Sequence, residues 1–69
     1  MEKWEYCTME WLWDISSIRL NLADGHESKF GGSYGEVVRT LNSLGASGWE
    51  VAGCVATSNW LFWTLKRRV

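Results

Sequence analysis

The sequence predicts an α+β domain in the order β-β-α-β-β, a single helix packed on an antiparallel sheet of about four strands. Three observations lead there. Only one segment, from Ser33 to about Gly48, repeats its apolar residues at the helical spacing of three and four. Stretches on either side alternate apolar and polar residues or are rich in aromatic and β-branched types, the signature of strands. The chain has 69 residues, which makes one domain, 1–69, and leaves no room for a second.

The first strand is read in "KWEYCTMEWLW" (3–13). Cys7, Met9, Trp11 and Trp13 share one face, while Trp4, Tyr6, Thr8, Glu10 and Leu12 share the other. "DISSIRLNLA" (14–23) opens on turn-like polar residues. Ile18, Leu20 and Leu22 then alternate with Ser17, Arg19 and Asn21, a half-buried strand joined to the first by a short antiparallel connection. "DGHESKFGG" (24–32) reads as a loop opened by the Asp24-Gly25 turn signal, or alternatively as an extension into a further hairpin.

The helix start is marked by a capping box. Ser33 would accept from the backbone N–H three residues on, and Glu36 would reach back to the Ser33 N–H. Tyr34, Val37, Val38, Leu41 and Leu44 form the apolar stripe, with Arg39, Asn42 and Ser43 opposite. Gly48 is the expected C-terminal cap. Gly45 either sits in the last turn, where a missing Cβ lets the helix approach the sheet, or is itself the cap. "WEVAGCVAT" (49–57) is a strand of small residues, Ser58-Asn59 a turn, and "WLFWTLKRR" (60–68) the last strand.

That last strand poses the functional question. Trp60 and Phe62 face one way and Leu61, Trp63 and Leu65 the other, so both faces are apolar, yet one helix covers only one face of a sheet. A chain this short buries only about 60 per cent of its unfolded surface and needs added support. Two cysteines, Cys7 and Cys54, make no disulfide framework, and no CxxC or Cys/His cluster offers zinc its ligands. Six tryptophans remain, each able to bury about 200 Å². Oligomerisation through aromatic surface is therefore the expected support, with Trp11, Trp13, Trp60, Phe62 and Trp63 as the interface.

Other classes are disfavoured. Seven basic and eight acidic residues give a net charge of −1, with no general pull towards nucleic acid or anionic lipid. "MEKWEY" has no basic start followed by an apolar run, and no stretch nears the roughly 20 apolar residues of a membrane span; a cytoplasmic location is the expectation. His26, with Asp24 and Glu27 beside it, sits in an expected loop without the rigid neighbours that acid–base or nucleophilic work requires. Cys7 and Cys54 lie in strands among apolar residues, where an inert buried thiol is the expectation for each. The chain is accordingly expected to be no enzyme, and no cofactor or metal is implied. "FGGSYGE" (30–36) sets glycines before a helix start as anion sites do, but Glu36 repels an anion and the capping box uses the same donors. Glu5, Glu10, Asp14 and Glu27 have no metal-like spacing; Glu10 pairs with an arginine or lies at a wet edge. Single-strand nucleic-acid binding would stack bases on Trp11, Trp13, Trp60 and Trp63 with Lys66, Arg67 and Arg68 on phosphates, against which Glu2, Glu5 and Glu10 stand nearby.

"LNSLGASGWEVAGC" (41–54), with "KWEYCTM" and "WLFWTLKR", resembles the domain-of-unknown-function family numbered 4177, small bacterial and phage proteins. Gly45, Gly48, Trp49 and Glu50 match that family's Gly-x-x-Gly-Trp-Glu step from helix to strand, and Lys66-Arg67 its basic last strand. The resemblance covers about two thirds of the chain and skips residues 14–32. It implies the fold and leaves the activity open. Phage proteins that sequester nucleotide signals offer an analogy for the alternative reading: a small planar or nucleotide-type ligand held between subunits by Trp11, Trp13 and Trp63, with Arg67 or Arg68 on its phosphate.

Overall fold

A computed structural model describes residues 2–69. The strands are β1 (Trp4–Leu12), β2 (Ser17–Asn21), β3 (Glu27–Gly31), β4 (Glu50–Ala56) and β5 (Trp60–Arg68), with helix α1 (Tyr34–Ala46) between β3 and β4. All pair antiparallel in one sheet of order β3-β2-β1-β5-β4. The expected class is correct, and the sheet has five strands rather than about four.

The fifth comes from the segment whose composition suggests a loop. Ser17 to Asn21 pairs with Glu27 to Gly31, so the 24–32 stretch forms the further hairpin instead. Its turn is closed by the Leu22 N–H on the His26 carbonyl at 2.8 Å and the Gly25 N–H on the Leu22 carbonyl at 3.0 Å. Polar Glu27, Ser28 and Lys29 hide a strand that is exposed along its whole length, because nothing buried imposes alternation there. The first strand also stops earlier than its pattern. Trp13 to Ile15 form one 3-10 turn, and Ser16 takes a left-handed conformation at φ 48° that redirects the chain into β2. Residues 14–16 therefore form the connection, in keeping with their turn-like composition, and the second strand begins at Ser17.

Side-chain alternation then assigns the two faces. Cys7, Met9 and Trp11 of β1, Ile18 of β2 and Leu65 of β5 are buried beneath α1, against Val37, Leu44 and Trp49. Met9, Ile18 and Leu65 are the most deeply enclosed. The helix touches the sheet through Val37, Leu41 and Leu44, spaced four and three; Tyr34 and Val38, expected in the same stripe, are exposed beside it. A helix about 10 Å wide cannot span five strands set about 4.8 Å apart. It covers the centre of the sheet, so every residue of β3 and β4 stays exposed.

The helix ends differ from each other in how far local sequence governs them. Ser33 is the N-cap in extended conformation, but its hydroxyl makes no capping hydrogen bond. The Ser33 carbonyl accepts from Glu36 and Val37 instead, and the Glu36 carboxylate pairs with Arg39, so the capping box is not formed. The charged partner one turn on outcompetes a neutral N–H for the carboxylate. At the C-terminus the expected glycine cap is present. Gly48 has φ +93°, its N–H bonds the Gly45 carbonyl, and the Trp49 N–H bonds the Leu44 carbonyl, each at 3.0 Å. This is a Schellman arrangement completed by the packing of Trp49 with Leu44 in the core. Gly45 is inside the helix, and a Cβ there would meet nothing within 4 Å, so it serves no close approach. Gly48→Ala is expected to cost about 1 kcal/mol through its φ, a fall in Tm of about 4–8 °C in thermal melts. An unchanged Tm would remove Gly48 from this role.

Candidate binding face

The face of the sheet away from α1 is built by the even residues of β1 and β5 and the odd residues of β2. The register sets Leu12 opposite Trp60, Glu10 opposite Phe62, Thr8 opposite Thr64, Tyr6 opposite Lys66 and Trp4 opposite Arg68. Three zones result. At one end Trp60 and Phe62 lie with ring centroids 5.4 Å apart at 43°, beside Leu12 and the exposed Val55 that pairs with Phe62. The centre is polar: the Asn21 amide donates to the Thr8 hydroxyl at 3.4 Å, and Arg19 pairs with Glu10 at 3.5 Å. Of the two readings for Glu10, an arginine partner or a wet edge, the structure has the arginine, on the central strand. The Arg19 Nε, buried at this centre, has no hydrogen-bond partner among the described residues.

At the other end Trp4 carries two cations, Lys66 Nζ at 4.6 Å and Arg68 Cζ at 5.6 Å from its ring centroid. Both are also paired with carboxylates, Lys66 with Glu50 at 3.7 Å and Arg68 with Glu2 at 2.9 Å. Arg67 points to the helix side, where it pairs with Glu5, donates to the Ser47 carbonyl at 2.9 Å and lies 4.4 Å over the Trp49 ring. Glu5, Trp49 and Arg67, with Leu22, Ala23 and Asp24, line an open hollow of about 180 Å³, below the roughly 300 Å³ at which ligand pockets begin.

The expected site residues therefore separate. Trp11 is core: its indole N–H donates to the Gly32 carbonyl at 3.2 Å, and it meets Trp13 and Tyr34 edge-on at 5.7 and 5.5 Å. Trp13 and Trp63 pack against the same core. Only Trp60 and Phe62 of the five interface residues stand on the open face. Within one chain the proposed ligand residues lie apart: Arg67 and Arg68 alternate onto opposite faces, and Arg67 pairs at Glu5, six residues or about 20 Å along β1 from Trp11. Sequence reasoning missed Leu12, Val55, Trp4 and Tyr6 as members of the open face. The alternation of residues 3–13 already groups Trp4, Tyr6 and Leu12; which group faces outward is the information it lacks.

No family model, curated protein or solved structure matches the chain.

Titratable groups offer little chemistry. Burial pushes the Cys7 thiol above its ordinary range, Arg67 pulling it back and Glu5 adding to the rise, so it is no thiolate at neutral pH. The His26 backbone N–H, and then its side chain, hold the Asp24 carboxyl below the usual carboxylate range at an exposed hairpin tip. Among the described residues no three His, Cys, Asp or Glu side chains gather as metal ligands. Among them, too, no helix is long and apolar enough to cross a membrane.

Proposed function

We propose that the chain is a non-enzymatic, homo-oligomeric binding module whose open sheet face serves as a subunit or partner interface. The observation that supports this is the Trp60–Phe62 pair, flanked by Leu12 and Val55, on a face that α1 leaves uncovered. Aromatic anchors of this kind dominate the energetics of interfaces, and truncating one costs about 2 kcal/mol or more. Phe62→Ser should therefore weaken self-association about 30-fold, read by native mass spectrometry across a micromolar dilution series. Association of unchanged strength in that variant, with the fold intact by circular dichroism, would remove the face from the interface.

A second reading has one observation in its favour. Trp4 with Lys66 and Arg68 is an aromatic platform flanked by cations, which suits a small planar anion such as a nucleotide shared between copies. The carboxylates on both cations oppose it, since a phosphate must displace Glu2 and Glu50. Nucleotide copurifying in the same spectra would promote this reading. Single-stranded nucleic acid ranks third; it requires a steep fall in oligonucleotide affinity with salt. The Gly-x-x-Gly-Trp-Glu step supports kinship with the resembled family, which bears on fold and adds no activity.

A further inference from the structure

The two edges of the sheet are unlike each other. β3 carries Glu27 and Lys29, which pair at 4.0 Å and blunt its edge with charge. From Val51 to Ala56, β4 carries no charge, no proline and no long side chain, and all of it is exposed. Its ladder with β5 fixes which backbone groups are free. The Thr57 N–H bonds the Trp60 carbonyl at 2.8 Å, and the register continues regularly through Ala56–Leu61, Val55–Phe62, Cys54–Trp63 and Gly53–Thr64. In an antiparallel pair alternate residues turn their N–H and C=O groups towards the partner. Those of Thr57, Val55 and Gly53 point to β5, so those of Cys54 and Ala56 point out of the sheet. The register shift between Val51 and Gly53 interrupts this pattern, leaving 53–57 as the regular open segment.

We infer that a second copy of the chain occupies this edge, β4 pairing antiparallel with β4 of the partner about a two-fold axis at Val55. This rests on the homo-oligomeric part of the reading above but sets the subunit contact at the sheet edge, which leaves the open face and its Trp60–Phe62 pair to a partner. Cys54 then lies opposite Ala56 of the partner subunit, and about four backbone hydrogen bonds close the gap. The partner is a second copy because the segment is complementary to itself. It brings no like charges together, and Glu50 of each copy falls at opposite ends of the seam. Val55 at the axis extends each Phe62–Trp60 patch into the other, so two sheets of five strands become one with a continuous apolar strip on the open face. The assembly stops at two, since pairing consumes both β4 edges and leaves only the charged β3 edges outside.

The test uses the full chain. Native mass spectrometry at micromolar concentration should give twice the 7.9 kDa of one chain. In a Val55→Cys, Cys54→Ser variant the two introduced thiols face each other as a directly opposed non-hydrogen-bonded pair, with Cα atoms about 4.5 Å apart and so within disulfide reach, and diamide should convert most of the protein to a covalent dimer. Cys7 is buried and does not compete. Cys54→Pro removes an outward N–H that β5 does not use, and should yield folded monomer. A wild-type monomer overturns both the seam and the oligomeric reading. An oligomer that does not cross-link at position 55, keeps its mass in Cys54→Pro and loses it in Phe62→Ser overturns the seam and leaves that reading standing. Open-ended polymers overturn the closed pair.

Discussion

Trp11→Ala should remove about a third or more of the domain's stability. The indole is buried between the sheet and the start of α1, donates to the Gly32 carbonyl, and meets Trp13 and Tyr34 edge-on. Removing a buried tryptophan costs about 3–5 kcal/mol. At about 0.05–0.15 kcal/mol per residue, a domain of this length holds only about 3–10 kcal/mol in all. The expected fall in Tm is about 15–30 °C in thermal melts followed by circular dichroism. Trp11→Phe separates the contributions: it keeps most of the packing, loses the hydrogen bond, and should cost about 1–2 kcal/mol. A Tm within about 5 °C of wild type in Trp11→Ala would mean that the indole lies outside the core, and the assignment of faces would fall with it.

Gly32→Ala should be the next most damaging single change, for a steric reason. A Cβ there would lie 2.6 Å from Glu36 Cβ and 2.8 Å from Ile18 Cδ1. Neither neighbour yields easily: the first is fixed to the opening turn of α1, the second is fully enclosed. The same residue ties three elements together, donating to the Ser16 carbonyl at 2.8 Å and accepting from the Trp11 indole. Overpacking at such a point costs about 1–3 kcal/mol, read as a lower urea midpoint at unchanged m-value. Gly31→Ala is the control, because its Cβ would meet only the Ser16 carbonyl at 3.7 Å, an ordinary contact. Equal midpoints in the two variants would remove the close approach at Gly32.

Both residues mark how far the sequence can be read. Alternation groups Trp11 with Cys7 and Met9, and that grouping is correct. Its place in the core rather than at a subunit interface is not legible, because an apolar strand face looks the same whether a helix or another chain covers it. Gly32 shows only as half of a glycine pair ahead of a helix; the contact that requires it comes from Ile18, on another strand. Arg67 and Arg68 teach the converse. Their separation onto opposite faces follows from the two-residue period alone, so the strand pattern itself allows only one of them at any single site, as the alternatives Arg67 or Arg68 have it.

Local sequence by itself determined the single helix, its end at a glycine cap near Gly48, and the two-faced last strand. These depend on interactions within a few residues, where periodicity, φ preference and residue chemistry suffice. The tertiary structure alone decided which face is open. Thr8, Glu10, Arg19, Asn21 and Thr64 meet at the centre of one face only once β1, β2 and β5 are in register. Burying that polar centre under a helix would cost more than leaving it wet, so α1 takes the other face, and Trp60 and Phe62 remain outside. The unguarded edge is likewise a product of strand order. Nothing within "EVAGCVA" says that it borders solvent; that follows from its pairing with β5 and with no other strand.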